Sequence, residues 1–395
     1  MPEGHSIHRI ALQFRRNFVG DRVQASSPQG RFAGGAEDLD GRVVTAATAV
    51  GKHLFVEFGA KGGAAGADGG AADERTPIGQ RGERILHVHL GLYGAWDFAG
   101  EITADATLAS SNGRIGQTNQ HRTFPPTGTA VTPLRGAPEP AGVGPDEVSG
   151  DQAFEAGELE GLEADALPES SLGSIGAPRR TRLRMAEQEK GEDVEVAEFP
   201  PAPVGQVRLR LLTERAVADL RGPNQCEVLD PEQVQAALAK LGPDPMHESG
   251  KAAEDRFVAA VRKTATPIGL LLMDQKVVAG IGNVYRAELL YRARLNPHTP
   301  GKEVPVPTLR RLWRDWAHLL AIGVQTGQMM TRDDLDTPEA YARALASREE
   351  RHYVYKRTGQ KPPRGRGVVV VEEVGGRNLY WAPGWQTQPK RKAAE

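Results

Sequence analysis

The first residues of the chain, Met1-Pro2-Glu3-Gly4-His5, hold two groups that could do chemistry. A small second residue lets the initiator Met be removed, which would leave Pro2 as a secondary amine beside the Glu3 carboxylate. Terminal amines have reference pKa values near ~8, well below that of a Lys side chain, so a good fraction is unprotonated at neutral pH. Such an amine can attack an electrophilic sugar carbon and form an iminium. Met-Pro is also a common, easily processed start, and an acid at position 3 suits the first turn of a helix. From these residues alone the plainer reading wins, so their meaning depends on the elements that would position them.

After Glu3, the apolar residues Ile7, Ile10, Ala11, Phe14 and Phe18 recur at helical spacing, with Arg9, Arg15 and Arg16 on the other face and a stop at Gly20-Asp21. Short β-branched or alternating runs at Arg42–Ala49, His53–Phe58 and Ile85–Leu90 read as strands, the last ending in the turn-like Gly91-Leu92-Tyr93-Gly94. A Gly/Ala stretch, Gly59–Gly82, reads as a flexible loop. Residues 101 to about 204 hold three Phe and no Trp, Tyr or Cys, and cannot bury enough apolar surface to offset their ordering entropy. They read as a disordered insert in a surface loop between strands, since strand character returns at Val207–Leu212 and Ala216–Asp219. From Pro231 the pattern turns helical, at Pro231–Leu241, Glu254–Val261, Pro267–Asp274, Val284–Ala293 and Pro307–Thr326. A tight Val278-Ala279-Gly280-Ile281-Gly282-Asn283 turn falls between two of these segments. The C-terminal part returns to β: Gly367–Val374 is a strand, Gly375-Gly376 a hairpin turn and Asn378–Trp381 the return strand.

At 395 residues the chain has room for two ordinary domains plus inserts. Its one cysteine, Cys226, excludes an internal disulfide and any cysteine-rich metal site, and suits a reducing cytoplasm. No run approaches the ~18 apolar residues that span a bilayer, and there is no signal-peptide core, so the expectation is a soluble, cytoplasmic protein with no membrane partner. The net charge of −2 hides a split. Residues 1–100 carry 11 Lys/Arg against 11 Asp/Glu, residues 101–205 carry 8 against 18, and residues 206–395 carry 30 against 22. A basic C-terminal half with an acidic insertion before it is consistent with a phosphate-backbone partner.

Six motifs, in this order, closely resemble landmarks of the formamidopyrimidine-DNA glycosylase / endonuclease VIII family. They are Met1-Pro2-Glu3-Gly4, Gly51-Lys52, His89–Gly94, Leu241-Gly242-Pro243-Asp244-Pro245, Asp274–Tyr285 and Gly376-Arg377-Asn378. The resemblance covers most of the chain outside the Gly-rich loop and the insert. It implies an α+β fold with an N-terminal helix and antiparallel β-sandwich over 1–230, with the loop at 59–82 and the insert at 101–204. A helix–two-turn–helix domain would follow over 231–345, then a β-hairpin finger over 346–388 and a tail at 389–395. It implies a bifunctional DNA glycosylase and AP lyase acting on double-stranded DNA with oxidised bases or abasic sites, with oxidised pyrimidines favoured by the Leu92-Tyr93 pair.

In that reading Pro2 attacks C1′ of the damaged nucleoside and Glu3 protonates the sugar ring oxygen. Lys52 contacts phosphate and assists elimination. Leu92 and Tyr93 form a wedge that fills the gap left by the extruded base, offsetting part of the few kcal/mol of unstacking. The glycines of Gly280-Ile281-Gly282-Asn283 let the backbone approach a phosphate, and Asn283 adds a side-chain donor. The alternatives are an 8-oxoguanine/formamidopyrimidine enzyme and a catalytically silent damaged-DNA-binding relative. No cofactor is required, and a monomer is expected.

One departure stands out. Many family members end in a zinc finger of two Cys-x2-Cys pairs flanking the hairpin, whereas the matching positions here are Pro362, Gly365, Ala382 and Trp385. No tetrahedral zinc site is expected from these residues. The expectation is a zincless finger, held by packing on the helical domain, that still presents Arg377 to a phosphate near the lesion.

Overall fold

The computed structural model of the protein describes residues 2–62, 76–102, 173–176, 199–335, 337–347 and 350–388. The middle of the expected Gly59–Gly82 loop, most of the 101–204 insert and the 389–395 tail lie outside the described residues. Two compact units separate. The first runs to Leu241 and includes Val324–Gly327; the second takes Gly242–Gly323 and the chain from Gln328 onward.

The first unit begins with α1 (Gly4–Asn17), which buries Ile7, Ile10, Ala11 and Phe14, the residues whose helical spacing predicted it. The helix closes where the Phe18 N–H bonds the Phe14 carbonyl at 3.0 Å, and Gly20 turns the chain at φ +92°. Arg15 and Arg16 fall in its last turn, where the helix dipole favours cations.

Two antiparallel sheets flank the same core. One has the order β2 (Val44–Val50), β3 (His53–Phe58), β4 (Arg84–His89), β9 (Gln225–Leu229). The other has the order β1 (Gln24–Ser26), β7 (Val207–Leu212), β8 (Ala216–Arg221), β5 (Ala95–Gly100), β6 (Gly173–Gly176). Strand alternation sends Leu54, Val56, Phe58, Leu86 and Val88 inward to meet Trp96, Phe98, Leu209, Leu211 and Leu220. At the centre the Phe14 ring packs edge-on against Trp96 at 4.9 Å and Phe98 at 5.5 Å. A single core shared by α1 and both sheets therefore holds the N-terminus.

Several elements differ from the sequence expectation. β1, β5, β9 and the short α2 (Ala33–Leu39) did not announce themselves, because three- to seven-residue segments carry too little periodicity to read. β6 lies inside the expected disordered insert and pairs with β5, placing Ile175 in the core. Its ladder is a backbone property, and one apolar residue between glycines leaves no trace in composition. α3 (Pro231–Leu238), expected to open the helical domain, packs on the sandwich instead, with Val234 against Val50, Phe55 and Ile85. A capping box between Asp230 and Gln233 starts it.

The second unit contains α4 (Lys251–Arg262), α5 (Ile268–Leu271), α6 (Asn283–Arg292), most of α7 (Val306–Thr326), α8 (Pro338–Ala346) and the hairpin β10 (Val370–Glu373)–β11 (Asn378–Trp381). The helix expected over Pro267–Asp274 stops at Leu271 and continues as turns. The strand expected from Gly367 starts at Val370, because Val369 exchanges backbone bonds with Gly359 and Gln360 (2.8 and 2.9 Å) instead. Ala287 and Tyr291 of α6 form one apolar cluster with Tyr353, Val354, Val369 and Ala382, joined by Tyr355, Tyr380 and Trp385. The finger is thus packed on the helical domain, as the sequence reading expected.

Candidate active site and nucleic-acid interface

In the first unit, Pro2 and Glu3 precede α1 directly and Glu3 is fully buried. Glu3 is the N-cap in extended conformation, yet its side chain makes no capping bond; its carbonyl accepts the Ser6 N–H at 3.0 Å. The helix-capping explanation for this acid therefore does not apply. His5 follows, fully buried, its pKa lowered from 6.5 to about 3 first by burial and then by the charge of Arg9, so its ring is neutral at physiological pH.

Lys52 sits in the two-residue turn between β2 and β3, where Gly51 at φ +59° supplies the left-handed conformation that such a hairpin needs. Because His53 pairs with His89, this turn and the loop after β4 lie at the same end of one sheet. Leu92 and Tyr93 occupy that loop and are 43% and 44% exposed, unusual for large apolar side chains. Gly91 (φ +66°) and Gly94 close the loop, and a Cβ on Gly94 would come within 2.4 Å of the Leu90 carbonyl oxygen. The structure thus brings Lys52 together with an exposed apolar tip.

Sequence reasoning did not find the ring column beside Lys52. His53 stacks on His87 (5.1 Å) and packs against His89 (4.9 Å), while His87 stacks on Phe55 (4.7 Å). Nδ1 of His53 and Nε2 of His87 share a hydrogen bond of 2.9 Å, and His87 Nδ1 bonds Glu227 at 2.9 Å. Burial first, then neighbouring imidazoles and Lys52, lowers His53 to about 3; burial and then Lys52 lowers His89 to about 4. The His53 and His89 rings beside Lys52 are therefore neutral at neutral pH. A cavity of about 400 Å³ opens over this sheet face, lined among others by His87, Glu227 and Lys240. The lone thiol, Cys226, is pushed up to about 12 chiefly by burial, which makes it a poor nucleophile.

In the second unit, Gly280 (φ +91°) and the N-cap Gly282 lead into α6. The Gln275 side chain staples this turn: its Oε1 accepts the Gly280 N–H at 3.0 Å and its Nε2 donates to the Ile281 carbonyl at 3.1 Å. Asn283 is buried, and its amide donates to the Asn378 carbonyl at 2.8 Å while its Oδ1 accepts from Arg286. Arg286 also donates to the Asn378 carbonyl at 3.2 Å. Asn283 therefore does a job the sequence did not suggest: it fastens the hairpin to the glycine turn. Gly375 and Gly376, at φ +63° and +71°, form the hairpin turn, and the Val374 N–H bonds the Arg377 carbonyl at 2.9 Å. Arg377, exposed next to Asn378, is consequently set beside Gly280, Gly282 and Asn283.

Another residue escaped the sequence reading. Glu288 of α6 is fully buried, and its carboxylate accepts the backbone N–H groups of Tyr353, Val354 and Tyr355 at 2.7–2.9 Å and the Thr331 hydroxyl at 2.7 Å. Partners this distant in sequence leave no local pattern.

The four positions that match the cysteines offer no ligand to zinc. Pro362 and Ala382 are buried, and a Cβ on Gly365 would sit 2.6 Å from Trp385 Cβ. Side chains without nitrogen, oxygen or sulfur ligands fill the place of the four cysteines, save for an indole N–H that can only donate. Among the described residues no cluster of His, Cys, Asp or Glu could hold a metal ion, and no helix is long and apolar enough to cross a membrane.

Comparison with known proteins places these features in context. Residues 1–125 match the formamidopyrimidine-DNA glycosylase N-terminal domain, and residues 241–334 match the formamidopyrimidine-DNA glycosylase H2TH domain. Endonuclease 8 1 of Mycobacterium tuberculosis is 30% identical over 388 residues, covering 98% of this chain and all of the relative (100%). Formamidopyrimidine-DNA glycosylase of Thermus thermophilus is 33% identical over 147 residues, 37% of this chain and 53% of the relative. In fold, the chain resembles Lactococcus lactis Fpg in complex with abasic-site DNA, with a TM-score of 0.57 at 14% identity over 98% of this chain and 100% of that one. The full-length likeness to Endonuclease 8 1, together with both domain matches, establishes that the chain belongs to the formamidopyrimidine-DNA glycosylase / endonuclease 8 family.

Proposed function

We propose that the protein is a DNA glycosylase and AP lyase of base excision repair whose nucleophile is the Pro2 amine. The observation that carries this reading is the buried Glu3, which does not cap α1 and lies next to Pro2. Glu3 protonates the sugar ring oxygen, which makes C1′ electrophilic. The Pro2 nitrogen forms a bond to C1′ as the bond to the base breaks, and the base leaves with the electron pair and takes up the amine proton; the C1′–O4′ bond then breaks, its pair staying on the ring oxygen protonated by Glu3, while the nitrogen lone pair closes the C1′=N iminium. The resulting iminium acidifies the C2′ protons, and loss of one expels the 3′ phosphate. Lys52 supplies a cation for phosphate at the sheet end where the Leu92–Tyr93 tip fills the vacated stack. Gly280, Gly282, Asn283 and Arg377 form a phosphate-gripping surface in the second unit.

We infer a preference for oxidised pyrimidines. Two things support it: the Leu92–Tyr93 tip, and a relative named Endonuclease 8 that matches along the whole chain while the formamidopyrimidine glycosylase matches cover part of it. Paired duplexes bearing an oxidised pyrimidine or 8-oxoguanine separate the two substrate classes. Borohydride reduction in the presence of abasic-site DNA should trap a covalent adduct, which Pro2→Gly abolishes and Glu3→Gln strongly reduces. Trapping of Pro2→Gly at the wild-type level would remove Pro2 as nucleophile, and absence of any adduct would leave a damaged-DNA-binding protein.

A further inference from the structure

We propose that Trp385, which stands at one of the cysteine positions of metal-bearing relatives, is a positioning residue for Arg377 and replaces the metal by locking the finger to α6. This inference rests on the reading of Arg377 as a phosphate contact. Trp385 Nε1 donates to the Tyr291 carbonyl at 3.0 Å, its ring lies 6.0 Å from the Tyr291 ring, and the Arg294 guanidinium covers its face at 4.1 Å. Arg294 adopts φ +54°, a conformation a non-glycine residue rarely takes, at the end of α6 beneath this indole. The Tyr291 hydroxyl accepts the Arg364 N–H and donates to the Arg364 carbonyl, both at 2.9 Å, so the loop that would hold the first cysteine pair is gripped as well. Gly365 then lets that loop close on Trp385 without a Cβ in the way.

The consequence follows from where the finger is fastened. Asn378, next to Arg377, is tied to Asn283 and Arg286 at the start of α6, and Trp385 is tied to Tyr291 near its end. Tyr291 lies eight positions after Asn283, about 12 Å along the axis. β11 spans the first half of the chain between these two ties, so α6 acts as a rail that fixes the hairpin's direction as well as its position. Without the Trp385 tie the base of the hairpin loses its brace on the end of α6, and the direction in which Arg377 is held shifts even though the Asn378 tie and the His298–Glu372 pair remain. A structural zinc would brace the finger internally; here Trp385 braces it against the helix that begins at that turn.

The test uses full-length protein and compares Arg377→Ala, Trp385→Ala, Trp385→Phe and the Arg377→Ala/Trp385→Ala pair for binding to an abasic-site duplex and for single-turnover incision, with and without EDTA. Arg377→Ala and Trp385→Ala should each weaken binding about tenfold or more. The double variant should be no weaker than the worse single, because both remove the same contact. Trp385→Phe keeps the ring, loses the bond to Tyr291, and should weaken binding about threefold at an unchanged melting temperature. EDTA should leave wild-type incision unchanged. Additive losses in the double variant, wild-type binding by Trp385→Phe or by Arg377→Ala, or loss of incision in EDTA would each overturn the proposal. If Trp385→Ala fails to fold, the Trp385→Phe measurement decides. Failure of wild-type protein to trap with borohydride while these binding effects persist would defeat the lyase reading and leave the positioning role standing.

Discussion

α1 carries Pro2 and Glu3 on a helix that sinks Ile7, Ile10 and Phe14 into a core shared with two sheets. The hairpin that carries Arg377 stands on Ala287 and Tyr291 of a single helix, with a small cluster of tyrosines around them. The first anchor is held by apolar area, which is non-directional and tolerant of small shifts. The second is held by hydrogen bonds of fixed geometry: three consecutive amides on Glu288, an indole N–H on a carbonyl, an asparagine amide on a carbonyl. A finger this small cannot bury enough area to hold itself, so direction is enforced by polar partners on α6. The difference teaches that loss of metal ligands need not mean loss of a finger when the neighbouring helix supplies the constraint.

The comparison can be broken most directly at Phe14. Phe14→Ala should cost about 3–5 kcal/mol in chemical denaturation, because its ring meets Trp96 and Phe98 at the centre of the sandwich. A cost under about 1 kcal/mol would mean that the core is not the anchor of the catalytic end. Glu288→Ala comes next, at about 3 kcal/mol, since it leaves buried amides without an acceptor. Hydrogen exchange should then accelerate at Tyr353–Tyr355 while β3 and β4 remain protected; loosening of both regions together would erase the distinction drawn here.

Acid should act on the sandwich as well. In the unfolded chain His5, His53 and His89 bind a proton near the ordinary value of 6.5, whereas in the fold they do so only near 3, 3 and 4. The unfolded state therefore holds more protons between these limits, and stability is complete above about 6.5 and falls as pH drops toward 3–4. His5→Gln should flatten part of that slope in a pH series of melting temperatures; an unchanged slope would argue that His5 does not resist protonation. The smallest effect on stability belongs to Leu92→Ala, within about 0.5 kcal/mol because the side chain is exposed, while incision of paired damaged DNA falls. A Leu92→Ala variant that incises at the wild-type rate would remove the wedge role.

The legibility of the sequence followed the range of the forces involved. α1 was readable because its apolar residues repeat every three to four positions, and the Leu92–Tyr93 tip because glycines bracket it. The hairpin turn was readable from Gly375-Gly376, which alone tolerate two successive left-handed residues. Glu288 and Gln275 were not, since the first serves amides more than sixty residues away and the second folds back on a turn by side-chain geometry. The imidazole column was hidden because His53, His87 and His89 meet only through the pairing register of β3 and β4. α3 was assigned to the wrong neighbour for a related reason: helical spacing tells which face is apolar, not what it will cover.

The short strand β6 has a consequence for the aggregation behaviour of the chain. It is the last strand of its sheet, so its ladder occupies the backbone groups that β5 would otherwise expose along a full edge. β5 is apolar, with Trp96 and Phe98 in the core, and an uncovered strand of this kind is a template for pairing with another chain. Trimming the whole acidic segment between β5 and β7 would therefore open a sticky border, whereas a shortened chain that keeps Gly173–Gly176 would remain guarded against its own copies.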